Sequence, residues 1–83
     1  MVKTFAIHNN IHMDKKRLRN LGINIKIERL RKGISQEELS EKCGVARNSI
    51  SLIETGKINP TILKLIDIAK ILDVDVNSLT KDI

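Results

Sequence analysis

Aromatic side chains are almost missing from this 83-residue chain: Phe5 stands alone, with no tyrosine and no tryptophan. Readers of single strands and RNA loops stack bases on aromatic rings, so the composition argues against that kind of partner. Cysteine is as scarce. Cys43 is the only one, which excludes an internal disulfide, and its place on an apolar stripe reads as a buried structural thiol in a reducing cytoplasm. No apolar run is long enough to cross a bilayer, and the N-terminus lacks the basic region followed by an apolar core that marks a secretory signal. A cysteine–histidine pair, paired carboxylates in a pocket pattern, a metal-ligand cluster and a glycine-rich phosphate loop are also lacking. A chain of this length makes one domain and encloses little of a cleft, so neither catalysis nor a cofactor is expected.

Positive charge is plentiful and unevenly placed. The net charge is +5; residues 1–32 hold nine Lys/Arg against Asp14 and Glu28, while residues 33–83 hold six against eight Asp/Glu. This asymmetry is the footprint of a polyanion partner whose affinity falls as salt rises. Basic charge alone discriminates poorly. With so few aromatics, double-stranded DNA is the better-fitting polyanion.

The chain is organised around Ser35 to Lys57, SQEELSEKCGVARNSISLIETGK. Ser35 is a good N-cap with Glu38 three residues on, a capping box. Leu39 and Cys43 follow at i, i+4, and Gly44 is the expected left-handed stop. A second helix runs from about Ala46 to Thr55, with Ile50 and Ile53 inward and Gly56 as terminator. Two short helices joined by a tight turn are the geometry that lets the second enter a DNA groove. The outer face reads Arg47, Asn48, Ser49, Ser51 and Leu52. Arg pairs bidentately with guanine, Asn with adenine, and Ser with either or with phosphate. On these five residues alone a solvated helix face is the more common explanation.

The stretch SQEELSEKCGVARNSISLIETGKINP resembles the helix-turn-helix of the lambdoid phage repressor and Cro family, and the likeness runs from Leu21 through Leu79. It rests on Gly33 to Gln36, the Gly-Val turn, Ile50-Ser51, Ile53 to Lys57 and Asn59-Pro60. The resemblance implies an all-α, five-helix lambda-repressor-like domain over residues 21–83, preceded by an extension over residues 1–20. It implies that the third helix reads the major groove and that the protein acts as a homodimer on an inverted repeat. Arg47, Asn48 and Ser51 are then the base contacts; Ala46 and Leu52 stand as apolar contacts to a thymine methyl, with packing near a phosphate an equal alternative for Leu52. Ser35, Gln36, Ser49, Lys57 and Asn59 reach phosphates. Arg29 matches the arginine that pairs with a late recognition-helix glutamate, here Glu54. The family's dimer contact involves the C-terminal helix; on and around it Ile71, Val76, Leu79 and Ile83 are the apolar candidates, at least half of them claimed by core packing. Four positions depart from the pattern: Ala46 lacks a capping hydroxyl, Leu52 is apolar where relatives are often polar, Ile58 replaces a basic residue, and Asp73 stands where glycine is common.

The rest of the chain is read from its own spacing. The first helix should start at about Leu18 or Leu21 and end at Lys32, with two apolar rows: Leu18, Leu21 and Ile25 on one side, and Ile23, Ile27, Leu30 and Ile34 almost opposite. Thr61 should cap a helix from Ile62 to Leu72 whose stripe is Ile62, Leu65, Ile66, Ala69 and Leu72. Asp75 should cap a last helix from Val76 to Thr80, with Val74, Val76 and Leu79 inward. Upstream, Val2 to Ile7 reads as a short strand or tail and Asn9-Asn10 as a turn. Three readings of residues 1–20 stand side by side: a disordered leader, a basic arm at Lys15, Lys16, Arg17 and Arg19, or a dimerisation element. His8 and His12 have metal-ligand spacing if helical, but no third ligand joins them and no metal site is expected.

The resulting expectation is a sequence-specific, homodimeric transcriptional repressor. Within the same class stand an antitoxin, a restriction–modification controller, and a regulator answering to a toxin or antirepressor protein. From another class stands a protein-interaction module that keeps the fold without operator binding, favoured by the second apolar row of the first helix and opposed by the intact Arg47-Asn48-Ser49 face.

Overall fold

Ser35 and Gly44 set the frame for the domain. In the computed structural model, which describes the backbone of residues 2–83 and the side chains from Asp14 onward, five helices follow one another: α1 Val2–Lys32, α2 Gln36–Cys43, α3 Arg47–Glu54, α4 Ile62–Leu72 and α5 Val76–Thr80. The Ser35 hydroxyl accepts from the Glu38 N–H at 3.0 Å and the Glu38 carboxylate accepts from the Ser35 N–H at 3.3 Å, closing the capping box. Gly44 ends α2 in the left-handed conformation at φ 70°, which only a residue without Cβ adopts cheaply.

The core lies where these helices face one another. Leu39 from α2, Ile50 from α3, Ile25 from α1, Ile68 from α4 and Leu79 from α5 are completely enclosed. Burying side chains of this size stabilises by about 1.5–3 kcal/mol each. Helix α3 packs on α2 and α1, while α4 and α5 close the other side. Two cross-links tie the layers at helix ends. The Lys64 ammonium donates to the Cys43 carbonyl at 2.8 Å, satisfying a C-terminal acceptor of α2, and the Asn24 amide donates to the Leu79 and Lys81 carbonyls, both at 2.9 Å, doing the same for α5. Orphan carbonyls at helix ends need such partners once they are near the interior.

Several expectations change. Helix α1 begins at Val2 rather than at Leu18 or Leu21, and its backbone is helical where a strand at Val2–Ile7 and a turn at Asn9-Asn10 were expected. Nothing stops it: Pro60 is the only proline and Gly22 the only glycine before Gly33, so the Asn pair has no breaker beside it. The side chains of residues 1–13, His8 and His12 included, lie outside the described residues. From the expected outer row of α1, Ile34 turns back against the core after the helix has ended. In α4 the stripe is Leu65, Ile68, Ala69 and Leu72; Ile66 is half-buried and Ile62 exposed. Thr61, Ile62 and Leu63 are all exposed, so the first turn of α4 overhangs the core and the face that counts is centred one turn later. The bounds of α4 and α5 are as expected. Thr61 caps α4 through Lys64 N–H, but Asp75 makes no side-chain cap bond and stays in water at the start of α5.

Asp73 ends α4 at φ 58°, ψ 43°. A Cβ in this left-handed region costs energy that a glycine avoids. Asp73→Gly is therefore expected to raise the urea midpoint, by about 0.5–1 kcal/mol of stability, the reverse of what a glycine does inside a helix.

Candidate nucleic-acid interface

The angle of α3 is fixed from behind by a buried ion pair. The Arg29 Nε donates to Glu54 Oε2 at 2.6 Å and its Nη2 donates to Oε1 at 3.0 Å, a bidentate fork, while Nη1 donates to the Ile34 carbonyl at 2.9 Å. Both side chains are nearly sealed from water, at 8% and 2% exposure. Planar bidentate pairing of this kind constrains direction as well as distance. One end of the pair is on α1, the other on the last turn of α3, and the carbonyl belongs to the loop that leads into α2.

Gln36, the first residue of α2, joins the same carboxylate: its amide donates to Glu54 Oε1 at 3.0 Å. All of Glu54's acceptor oxygens are thus engaged and the amide plane of Gln36 is set by a buried charge. Its second amide hydrogen and its carbonyl oxygen are left for an outside partner. Gln36 then lines a shallow groove together with Arg47, Asn48 and Ser51. This places one expected phosphate contact beside the three expected base readers, on the side of α3 away from Ile50 and Ile53.

The electrostatics of that face are simple. Arg47 is exposed and makes no ion pair among the described residues. The only carboxylate on α3 is Glu54, which is buried against Arg29, so the outward face carries positive charge alone. At the entrance of α3, Ala46 has extended geometry but no side-chain cap. The first internal bonds come from Ser49 and Ile50 N–H to the Ala46 carbonyl, leaving the Arg47 and Asn48 N–H groups for water or an anion. Ser35 can donate its hydroxyl hydrogen while its oxygen accepts from Glu38. Ala46 is exposed, and Ser49 and Leu52 are half-buried at the edges of the face.

After α3 the chain turns at Gly56, φ 73°, where an added Cβ would meet the Arg19 Cα at 2.7 Å. Lys57, Ile58 and Asn59 are exposed. Asn59 opens on a different hollow from the Gln36 groove, one lined by Asp14, Arg17, Leu18 and Leu21 of α1 and by Ile83. The expected contacts therefore fall into two places, the groove at α2–α3 and the loop beside α1. Gly22 is the residue that sequence reading passed over: an added Cβ would lie 2.4 Å from the Glu54 carbonyl oxygen. Its signal was present, a lone glycine inside a strongly helical run, which costs about 1 kcal/mol relative to alanine and calls for a packing reason. Among the described residues no cluster of His, Cys, Asp and Glu could hold a metal ion, and no helix is long and apolar enough to cross a membrane. Cys43 is buried, and burial pushes its thiol above the ordinary value, with Lys64 acting against that and Asp67 adding to it; this holds the thiol in its unreactive protonated form.

The helix-turn-helix family matches residues 25–79, which span α2 and α3 and reach from the second half of α1 into α5. The HTH-type transcriptional regulator SinR of Bacillus licheniformis is 41% identical over 63 residues, 75% of this chain and 57% of SinR. SinR of Bacillus subtilis is 43% identical over 60 residues, 71% of this chain and 54% of SinR. The chain thus spans little more than half the length of these SinR proteins. An uncharacterised HTH-type transcriptional regulator of Sinorhizobium fredii is 36% identical over 62 residues, 75% of this chain and 78% of its own length. Two solved structures share the fold: the restriction-modification controller protein C.AhdI from Aeromonas hydrophila, with a TM-score of 0.72 and 29% identity over 75% of this chain and 94% of C.AhdI, and the hypothetical transcription factor NHTF from Neisseria, with a TM-score of 0.72 and 33% identity over 80% and 77%. With its lambda-repressor-like five-helix fold and these matches, the chain belongs to the helix-turn-helix family of DNA-binding transcriptional regulators, a non-enzymatic family.

Proposed function

We propose that the protein is a homodimeric repressor that acts in the cytoplasm by occupying an inverted-repeat operator. The observation that carries this reading is the α2–α3 groove: Gln36, Arg47, Asn48 and Ser51 share one exposed face, and the buried Arg29–Glu54 pair behind it fixes its direction. In this reading Arg47, Asn48 and Ser51 contact base edges, Ala46 and Leu52 lie at thymine methyls, and Ser35, Gln36, Ser49, Lys57 and Asn59 hold phosphates. Two-fold symmetry places the two α3 helices about 34–36 Å apart in successive major grooves. Of the apolar residues considered for the dimer contact, Leu79 is wholly consumed by the core, while Ile71, Val76 and Ile83 are only partly buried and keep surface to offer.

Selection from a randomised duplex pool at about 0.15 M salt tests the reading. An enriched inverted repeat with half-sites about 10 bp apart supports it; weak retention of every sequence sinks it. Arg47→Ala should then cost about 1–3 kcal/mol on the selected site and relax its preference at one base pair. An equal loss on random DNA would make Arg47 a phosphate contact.

A second reading has its own support: the chain accounts for 94% of C.AhdI but for little more than half of SinR. A match to nearly the whole of that controller suits the same role for this chain. Neighbouring genes for a methyltransferase and an endonuclease would favour that role, and an adjacent toxin gene would favour an antitoxin.

A further inference from the structure

We propose that the outward face of α1 is a docking surface for an acidic amphipathic helix of another protein. Ile23, Ile27 and Leu30 are 46%, 41% and 59% exposed. Their spacing, i, i+4, i+7, sets them in one row along the helix, and at about 100° per residue that row lies off the side where Gly22 and Arg29 meet α3. Three large aliphatic side chains in register on an outer helix face form the seam by which one helix receives another.

Charge selects the occupant. Lys16, Arg19 and Lys26 fall on the same arc of α1, are exposed, and make no ion pair among the described residues. Arg31 borders the arc, and its partner Glu28 has only 11% of its side chain exposed, so no open carboxylate stands on this face. A second copy of the chain would set basic rim against basic rim. A partner helix with leucine-like residues in a row and glutamates beside them would satisfy the row and the rim together. A lipid surface fits less well, because among the described residues the apolar row is three aliphatic side chains over about two turns, shorter than the apolar face by which interfacial helices anchor. Operator binding does not enter the argument, so the inference stands or falls apart from the repressor reading.

The probe is a synthetic helical peptide with leucines at i, i+4 and i+7 over three repeats and glutamate at the flanking positions; its control carries lysine in place of glutamate. Titrated into the full chain with labelled methyl groups, the acidic peptide should shift the Ile23, Ile27 and Leu30 signals. Its affinity should fall about tenfold between low and about 0.5 M salt. Ile27→Asp, at an exposed position, should abolish the shifts and leave the thermal midpoint unchanged. Four results would overturn the proposal: no shifts with the acidic peptide, equal binding of the lysine control, retention of the chain by anionic phosphatidylserine vesicles through the same residues, or a wild-type dimer in sedimentation that Ile27→Asp dissociates.

Discussion

Replacing Glu54 by alanine should lower the stability of the domain by about 3–5 kcal/mol, because it strands the Arg29 guanidinium in a site where its side chain is 8% exposed. A domain of this size holds roughly 4–12 kcal/mol in all, so the variant would lose a large share of its stability and unfold at a much lower urea concentration. Gln36 and the Ile34 carbonyl share the same network, which spreads the damage to the start of α2. The double variant Arg29→Met, Glu54→Leu separates two ideas. If the single loss comes from the unpaired charge, the double variant recovers much of it, since two apolar groups remove the buried charge and leave only the Ile34 carbonyl and the Gln36 amide without their partners. If the pair serves chiefly to aim α3, the double variant is stable yet binds its selected operator more weakly. A Glu54→Ala protein with an unchanged urea midpoint would contradict the buried geometry altogether.

That pair was legible only through resemblance. Nothing in the spacing of Arg29 and Glu54, twenty-five residues apart, links them, because their meeting depends on how α1 crosses α3. Local signals behaved differently. The Ser35–Glu38 box, the left-handed Gly44 and the Thr61 cap are written within four residues, and the structure realises each of them. Ile50 and Ile53 fell inward because α3 is short and strongly two-sided. The α4 stripe was harder: isoleucine and leucine occur all round that helix, so its period could not tell Ile62 from Ile68, and the choice belongs to where α2 ends. The start of α1 was missed for a related reason. No capping residue announces it, and the apolar rows that located the helix begin only at Leu18. For the proposed DNA contacts the sequence supplied candidates, and the structure adds which are neighbours: Gln36 stands with Arg47, Asn48 and Ser51, whereas Asn59 opens beside α1.

Gly22→Ala should destabilise the domain by about 2–3 kcal/mol, and the sign is the informative part. At an open position inside a helix this change adds about 1 kcal/mol of stability. Here the new methyl would lie 2.4 Å from the Glu54 carbonyl oxygen, 2.5 Å from that of Ile53 and 2.7 Å from the Glu54 carbonyl carbon. All three are backbone atoms, so no rotamer change can make room. Helix α1 must move away from α3, or the last turn of α3 must deform, and overpacking of this kind costs about 1–3 kcal/mol before any secondary loss. The secondary loss is specific. Separating the two backbones lengthens the Arg29–Glu54 hydrogen bonds, which at 2.6 and 3.0 Å have little slack, and so loosens the fixture that aims Arg47 and Asn48. Urea denaturation measures the first effect, and binding to the selected operator well below the melting temperature measures the second. A Gly22→Ala protein more stable than the parent would mean that α1 and α3 do not touch here. A protein that is less stable yet reads its operator with unchanged affinity and preference would mean that the ion pair, and not the backbone contact, sets the direction of α3.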